Sequence, residues 1–269
     1  MPPALILDSV THLTADARGR VAVCASHGAV YAAWYGAMKG VAALILNDAG
    51  IGREQAGISG LAWLDGLGVP GATVSHNSAR IGWGADMPER GVLSFVNAAA
   101  ASLGLRPGMA CGAAIDRLLA AGLPPAPAPA PLDEARHEIV EAGAKGIRVF
   151  VLDSTGLVGK EDAGHIVVTA SHGGLLAGKP ETAVKSDVLA AVYVDADRGL
   201  DGAGVSRLPA LQARGIAGAT VSAFSARIGD GMSVWTDGFV SAINAEAARR
   251  GGAIGQSTRD FVAAIIASA

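Results

Sequence analysis

The 269-residue chain has few aromatic residues, two cysteines and no large excess of charge of either sign. Two cysteines, neither part of a Cys-Xaa-Xaa-Cys pair, cannot build a disulfide framework. The net charge is −3 and basic residues never run beyond two in a row, which argues against a nucleic-acid partner. Uninterrupted apolar runs stay below the roughly 18 residues of a membrane span, so no membrane partner is expected.

The remaining composition favours a folded chain. Hydrophobic residues make up 51% and charged residues 17%, a balance that argues against intrinsic disorder. The N-terminal sequence Met-Pro-Pro-Ala-Leu-Ile-Leu-Asp-Ser has no basic segment and no long apolar core. We therefore expect no signal peptide and a cytoplasmic location.

Short blocks of sequence occur twice in the same order. Ala-Ser-His-Gly stands at 25–28 and 170–173, and Ser-Ala-Arg-Ile-Gly stands at 78–82 and 225–229. The first pair is 145 residues apart and the second is 147 apart, so the second copy carries two extra residues between them. Two copies of this length are too few for a solenoid, and they predict tandem homologous repeats arranged as a pseudo-dimer.

A proline- and alanine-rich segment separates the copies. The alternation of Pro and Ala at 122–132 excludes a helix and predicts an extended polyproline-II spacer. Residues 132–143, with acidic side chains near their start, predict a helix after it. The predicted domains are a first α/β repeat at 1–124, a linker with its connecting helix at 125–146, and a second α/β repeat at 147–269.

Each copy alternates predicted strands and helices. Apolar runs such as 41–46 and 188–194 predict buried strands, and long helices are expected near 88–103 and 235–249. Strands that alternate with helices of this length are joined by right-handed crossovers. The sequence therefore predicts an α/β fold in which each repeat forms a mostly parallel sheet with helices on both faces.

Three polar motifs follow three predicted strands in each copy. They are Ser-His-Gly, a glycine-rich loop that contains an aspartate, and Ser-Xaa-Xaa-Ser-Ala-Arg-Ile-Gly. In the first copy they occupy 26–28, 47–52 and 75–82. Ligands of open parallel sheets bind outside the carboxyl ends of the strands, so the three motifs predict one site at that edge.

The Ser-His-Gly motif supplies the candidate acid/base groups. His27 and His172 carry side chains that exchange protons near neutral pH, and we predict a catalytic role for both. Ser26 and Ser171 are candidate nucleophiles or substrate anchors, with anchoring favoured because adjacent side chains diverge. The alternative is structural, with the histidine bonding a helix start or the neighbouring loop.

The second motif contributes one carboxylate in each copy. Asp48 and Asp195 end a predicted strand, where a carboxylate can orient a histidine, hold a hydroxyl or bind a cation. We include both among the candidate catalytic residues. The alternative is that each aspartate caps the N–H groups of its glycine-rich turn.

The third motif is predicted to hold the substrate. Its anchoring residues are Arg80, Arg227, Ser75, Ser78, Ser222 and Ser225. A guanidinium fork suits a carboxylate or a phosphate, and the hydroxyls add hydrogen-bond donors. The alternative is an arginine that ties this loop to Asp48 or Asp195, or to the other half of the chain.

No cofactor is predicted. A set of His27, Asp48 and His76 is the best candidate for a metal site, but the second copy has Ala223 in place of His76. The full Gly-Xaa-Gly-Xaa-Xaa-Gly fingerprint of a dinucleotide site is missing after the first crossover strand. Cys24 lies in an apolar run, so we expect a core residue rather than a nucleophile.

These features favour an enzyme that acts on a small polar metabolite, either anionic or bearing an amide or carbonyl group. Hydrolysis is the preferred reaction, with elimination and isomerisation left open. The alternative is a binding or regulatory module that holds a small anion without chemistry. A homo-oligomer is plausible because the helices are rich in alanine.

Overall fold

The computed structural model describes residues 2–142 and 144–269. The chain divides into two compact units, each of which includes a three-residue segment from the other half of the sequence. The first unit consists of Met1–Ile51, Gln55–Leu132 and Gly199–Asp201, and the second of Gly52–Glu54, Asp133–Arg198 and Gly202–Ala269.

The first unit contains a sheet that, among the described residues, has five strands in the order β1-β2-β3-β4-β5. Neighbours from β1 to β4 are parallel, and β5 runs antiparallel to β4. The strands are β1 (Leu5–Leu7), β2 (Val21–His27), β3 (Ala43–Asn47), β4 (Gly71–Val74) and β5 (Leu93–Val96). The helices are α1 (Val30–Met38), α2 (Gly60–Gly66), α3 (Asp86–Arg90), α4 (Ala98–Ser102) and α5 (Cys111–Ala120).

The second unit contains a sheet of six described strands in the order β11-β10-β9-β8-β7-β6. Its strands are β6 (Arg136–Glu138), β7 (Val149–Leu152), β8 (Ile166–His172), β9 (Ala190–Val194), β10 (Ala217–Val221) and β11 (Val240–Ile243). Its helices are α6 (Arg207–Ala213), α7 (Gly231–Asp237), α8 (Ala245–Arg249) and α9 (Thr258–Ala267). The inner strands are parallel, whereas β6 and β11 are antiparallel to their neighbours.

The central strands are apolar on both faces because helices and loops cover each side of the sheet. Successive residues of β2 and β3 alternate between two layers of the core, so that Val23 and Ile45 lie in one layer and Cys24 and Leu44 in the other. Cys24 is buried, as expected for a core residue, and this burial raises the pKa of its thiol.

The prediction of an α/β fold with mostly parallel sheets is confirmed, but one element type is wrong in both halves. The helix expected near 88–103 is α3, β5 and α4 in succession, and the one expected near 235–249 is α7, β11 and α8. An antiparallel strand is inserted because Asn97 ends β5, accepts the N–H of Gly71 at 3.0 Å and caps α4 through the N–H of Ala100 at 2.9 Å.

The connecting helix predicted at 132–143 is also wrong within the described residues. The segment forms β6 and a 3₁₀ turn at Val140–Ala142, and Gly143 lies outside the described residues. β6 pairs with the exposed edge of β7, and Arg136 forms an ion pair with the buried Asp162 at 2.6 Å. Pairing with an otherwise open sheet edge outweighs the helical preference of this short segment.

Helix α1 belongs to the first unit, and residues 174–188 of the second unit form 3₁₀ turns and irregular loop instead. Gly60 explains the helix, because a Cβ there would lie 2.7 Å from the Ala33 side chain of α1. The residue 147 positions later is Arg207, whose buried guanidinium donates to the carbonyl oxygens of Gly174, Thr182 and Ala183. These bonds tie the irregular segment of the second unit to the start of α6.

Among the described residues, no helix has the length and apolar character needed to cross a membrane.

Candidate functional site

The strand registers of the first unit place the predicted polar residues at one edge of its sheet. His27, the last residue of β2, pairs with Asn47 at the end of β3, and Asn47 pairs with Val74 at the end of β4. Asp48 follows β3 directly, and His76 lies two residues after the end of β4. At a strand spacing of about 4.8 Å, the backbones at His27 and His76 are roughly 10 Å apart, with the Asp48 loop between them.

The loop after β3 has an unusual backbone that is built around Asp48. Ala49 and Ile51 have positive φ angles of 48° and 65°, a left-handed region that costs non-glycine residues roughly 1 kcal/mol each. The turn brings the N–H of Ile51 to within 2.7 Å of the Asp48 carbonyl oxygen. The Asp48 Oδ1 atom also accepts the N–H of Gly50 at 3.2 Å, so the carboxylate caps its own loop as the structural alternative proposes.

Asp48 also holds His76. The Nδ1 atom of His76 lies 2.7 Å from Asp48 Oδ1, and the same oxygen accepts the main-chain N–H of His76 at 2.9 Å. Because the carboxylate oxygen is an acceptor, the ring of His76 donates a proton to it from Nδ1. Asp48 is 1% exposed and His76 is 7% exposed, so the pair is rigidly oriented.

His27 has the opposite tautomer. Its Nδ1 atom accepts the N–H of Ala29 at 3.4 Å, which leaves the proton on Nε2. His172 of the second unit accepts the N–H of Gly174 in the same way at 3.1 Å. Burial lowers the pKa of His27 from 6.5 to about 4, so at neutral pH this ring is a neutral Nε2–H donor.

The low pKa of His27 predicts that acid destabilises the protein. Between pH 6.5 and 4 the unfolded chain binds a proton that folded His27 does not, so stability falls as the pH falls through this window. The loss attributable to this one residue is up to about 3 kcal/mol. Urea unfolding at pH 7 and pH 4 is expected to show a smaller loss for His27→Gln than for the wild type.

The exposed His12 provides the control for this measurement. His12→Gln is expected to follow the wild-type pH dependence. An NMR titration of His27 with a midpoint near 6.5, or equal pH dependence in the His27→Gln variant, would contradict the assignment.

The serines of the first and third motifs all hold backbone turns. Ser26 Oγ accepts the N–H of Val10 and Ser171 Oγ accepts the N–H of Thr155, both at 2.9 Å. The equivalent serines of the third motif act in the same way in the two units: Ser75 and Ser222 accept an N–H two residues on, whereas Ser78 and Ser225 donate back to the carbonyl three residues earlier. These contacts account for the presence of the same serines in both halves of the sequence.

Arg80 is paired within its own loop. Its guanidinium bonds both oxygens of Asp86, at 2.6 and 2.8 Å, and stacks 3.8 Å from the centroid of the Trp83 ring. Burial favours a raised pKa for Asp86, but hydrogen bonds from Arg80 and Arg90 outweigh it and lower the pKa to about 2. The guanidinium of Arg80, which the sequence predicts to bind an anionic ligand, is therefore bonded to a carboxylate of the protein. That carboxylate belongs to Asp86 and not to Asp48, the partner named in the structural alternative.

Arg227 is also bonded to a carboxylate of its own loop, that of Asp230. Its Nε and one terminal nitrogen bond Asp230 Oδ2 at 3.1 and 2.8 Å. Asp230 occupies the position equivalent to Trp83, and Ser233 that equivalent to Asp86. Each arginine bonds a carboxylate of its own loop, but the two carboxylates stand three positions apart when the matching sequence blocks are aligned, so comparison of the blocks does not reveal them.

The second unit keeps the aspartate and lacks the histidine pair. Asp195 Oδ1 accepts the N–H of Ala223 at 2.9 Å and of Asp197 at 3.0 Å, as Asp48 does for the equivalent positions of its loop. Ala223 is buried and stands where the first unit has His76. At the position after the serine, the first unit therefore adds an imidazole to the aspartate and the second unit does not.

The residues that the structure describes contain no cluster of three or more His, Cys, Asp or Glu side chains suited to a metal ion. His27, Asp48 and His76, the best candidate set from the sequence, thus do not form such a cluster. Asn77, which lies 3.0 Å from His76 Nε2 through its Nδ2 atom, was missed by the sequence reasoning. Its difference from Phe224 at the equivalent position is the clue that points to it.

Comparison with known proteins gives no relative: no protein-family model, no curated protein and no solved structure matches this chain.

Proposed function

We propose that the first unit carries the active centre of an enzyme that acts on a small metabolite bearing a carbonyl or amide group, and that the reaction is a hydrolysis. The observation that supports this most strongly is the pairing of opposite imidazole tautomers at one sheet edge. His76 presents a lone pair oriented by Asp48, whereas His27 presents an N–H. An acid/base reaction needs one group of each kind.

The two histidines have different roles in this proposal. His76 takes a proton from the attacking water through Nε2, and Asp48 stabilises the imidazolium that results. His27 donates its Nε2–H to the substrate carbonyl and stabilises the negative charge that develops there. Its pKa of about 4 keeps it neutral and non-basic, which prevents it from competing with His76 for the proton.

In this proposal Arg80, Ser75 and Ser78 shape the loop after β4 and contribute less to substrate binding than the sequence predicts. Arg80 forms a bidentate pair with Asp86, and so it shapes the loop that follows β4 more than it supplies a free fork. The hydroxyls of Ser75 and Ser78 are engaged with main-chain groups of the same loop. Substrate selectivity is accordingly assigned to His27 and the backbone of the Asp48 loop.

The test is a comparison of His76→Gln with the wild type on a substrate found by screening small amides, lactams and esters. Loss of a general base is expected to lower kcat at least 100-fold, with little change in the melting temperature. His12→Gln is the matched control and should retain full activity. Wild-type turnover in the His76→Gln variant would exclude His76 as the base.

A second candidate function is the binding of a small anion or carbonyl compound without chemistry. The second unit favours it, because His172 keeps the donor tautomer while Ala223 replaces the base. A ligand that raises the melting temperature of the wild type and of His76→Gln equally, and that is recovered unchanged, would support binding over catalysis.

We also propose that the two units descend from a duplicated ancestor and are arranged as a pseudo-dimer. Corresponding strand registers support a shared ancestry: Ala72 pairs with Val96, and 147 residues later Ala219 pairs with Ile243. The irregularity after Thr73 recurs after Thr220. Only the first unit, in this view, kept the base.

A further inference from the structure

We infer that Gly199–Asp201, a segment from the second half of the sequence, is a positioning element of the active centre proposed for the first unit. The inference rests on the proposed function, since the residue that it positions is His76. The compact first unit includes these three residues. The N–H of Leu200 donates to the main-chain carbonyl oxygen of His76 at 2.8 Å, so the centre draws on both halves of the sequence.

The main chain of His76 is bonded on both of its sides. Its N–H donates to Asp48 Oδ1 at 2.9 Å, and its carbonyl oxygen accepts the Leu200 N–H. A residue held at both its N–H and its carbonyl has little freedom to rotate about its own backbone, so the direction of its Cα–Cβ bond is fixed. Asp48 orients the ring of His76, and Leu200 fixes the backbone from which that ring projects.

Gly199 allows the segment to come this close. Its φ angle of 61° lies in the left-handed region, which residues with a side chain rarely adopt. A Cβ at this position would lie 2.9 Å from the carbonyl oxygen of His76. Because that obstacle is a backbone atom, glycine is the residue that lets the neighbouring Leu200 N–H reach its acceptor.

The backbone that leads into Gly199 is strained. Ala196, Asp197 and Arg198 have φ angles of 48°, 54° and 61°, so four consecutive residues lie in the left-handed region. L-residues normally enter this region singly. Such a run persists only where surrounding contacts hold it, and the Leu200 bond directly after it is one of those contacts.

The second unit contains the same arrangement around a residue without an imidazole. It includes Gly52–Glu54, and the N–H of Arg53 donates to the carbonyl oxygen of Ala223 at 2.8 Å. A Cβ on Gly52 would lie 2.8 Å from that oxygen. The bond thus fixes the backbone of this position whatever its side chain, and only in the first unit does that backbone carry the proposed base.

The ion pairs of the segment contribute less than this bond. Asp201 Oδ2 lies 3.9 Å from Arg80 and 3.7 Å from Arg90, and the Asp201 side chain is 61% exposed. Exposed pairs at such distances add little to stability. The main-chain bond of Leu200 therefore carries the positioning.

The test compares two glycines of the same loop in the full chain. Gly199→Ala places a methyl group against the His76 carbonyl oxygen, whereas Gly202→Ala adds one at a similar φ of 68°, where it meets only the Val205 side chain at 4.0 Å. A loss caused by left-handed strain alone appears in both variants. Gly199→Ala alone is expected to break the bond between Leu200 and His76.

NMR reports the outcome without a substrate. In the wild type we expect a coupling between the Leu200 ¹⁵N and His76 ¹³C′ nuclei through their hydrogen bond, and slow exchange of the Leu200 amide. Gly199→Ala is expected to lose the coupling, to exchange this amide at least about tenfold faster, and to shift the ring signals of His76. Gly202→Ala is expected to keep the wild-type values.

Leu200→Pro is the second variant, because proline removes the N–H at the first residue of the 3₁₀ turn Leu200–Val205. It is expected to shift the His76 ring signals in the same direction as Gly199→Ala. His76 signals that stay at their wild-type positions in both variants, or that shift equally in Gly202→Ala, would overturn the inference. A wild-type Leu200 amide without coupling or protection would overturn it as well.

Activity separates this inference from the proposed function. On a substrate of the proposed reaction, Gly199→Ala is expected to lower kcat about tenfold with little change in KM, since a displaced base affects the chemical step more than binding. An equal fall of kcat in Gly202→Ala would assign the effect to the fold of the loop and contradict positioning. If the proposed function fails, His76→Gln keeps full turnover, whatever the NMR signals of Gly199→Ala show.

Discussion

Replacement of Gly57 by alanine is expected to destabilise the first unit by at least about 3 kcal/mol, a loss typical of the most damaging single substitutions. A Cβ on Gly57 would lie 2.2 Å from the carbonyl oxygen of Asp48 and 3.1 Å from that of Ile51. Both obstacles are backbone atoms, so no side-chain rotation relieves the contact. The Gly57 N–H also donates to Ile51 O at 2.9 Å, which closes the loop on itself.

The same substitution is expected to displace the site. Pushing the Asp48 backbone away moves the carboxylate that orients His76, so activity that depends on His76 should be lost in any fraction that remains folded. Urea unfolding and circular dichroism measure the stability, and the ¹⁵N signals of the His76 ring report whether Nδ1 still carries the proton.

Gly66 is the matched control. It lies in α2, is exposed, and a Cβ there meets no atom within 4 Å. Gly66→Ala is expected to stabilise the protein by about 0.5–1 kcal/mol through the gain in helix propensity. Wild-type stability of Gly57→Ala would show that the Asp48 loop is not as tightly constrained as its backbone contacts indicate.

Replacement of Arg207 by methionine is expected to cost about 3 kcal/mol and to loosen residues 174–188 of the second unit. Arg207 is 3% exposed and donates to three main-chain carbonyl oxygens of this loop. Its guanidinium also lies 4.9 Å from the centroid of the buried Tyr193 ring. Methionine keeps much of the volume but leaves the carbonyls without a donor, at about 1–3 kcal/mol for each one that stays buried.

Part of this loss is offset, because burying a charge is unfavourable. Burial lowers the pKa of Arg207, and methionine removes that desolvation cost. Hydrogen exchange should therefore show the change as faster exchange confined to the loop, with global unfolding shifted less than the sum of three lost bonds.

Arg259→Met is the control that shows whether replacing any arginine by methionine lowers the stability of the protein. Arg259 is exposed, and its described contact is the Trp235 ring at 5.5 Å. A change within about 0.5 kcal/mol is expected. Arg207→Met with unaltered exchange at 174–188 would show that the loop is held by other contacts.

The sequence was most informative where local pattern and tertiary structure agree. Apolar runs such as 41–46 are continuous because both faces of a parallel sheet are covered, and they correctly indicated β3 and its neighbours. The location of the three motifs followed from the same reasoning, since every parallel strand ends at the same edge. His27 ends β2 and pairs with Asn47, the residue before Asp48, so the two motifs stand at neighbouring strand ends.

Features that depend on a distant partner could not be predicted in this way. Whether Arg80 binds a ligand or a carboxylate depends on Asp86, which no repeat or spacing marks. The strand β6 depends on an open edge at β7, and a short charged segment carries no strand pattern of its own. The role of Arg207 depends on the carbonyl oxygens of residues 174–183, which the chain brings to it only by folding.

Strand β6 has a consequence for how the protein behaves at high concentration. This strand, which includes Arg136 and Glu138, is the outermost strand of the second sheet. The Nε atom of Arg148, the residue before β7, donates to the Glu138 carboxylate at 2.8 Å. A border strand of three residues with charged side chains, of which Glu138 is exposed, leaves few main-chain groups for a foreign strand to join. The segment that follows the proline-rich stretch thus protects the sheet against edge-to-edge aggregation, at the side where the apolar β7 would otherwise be open.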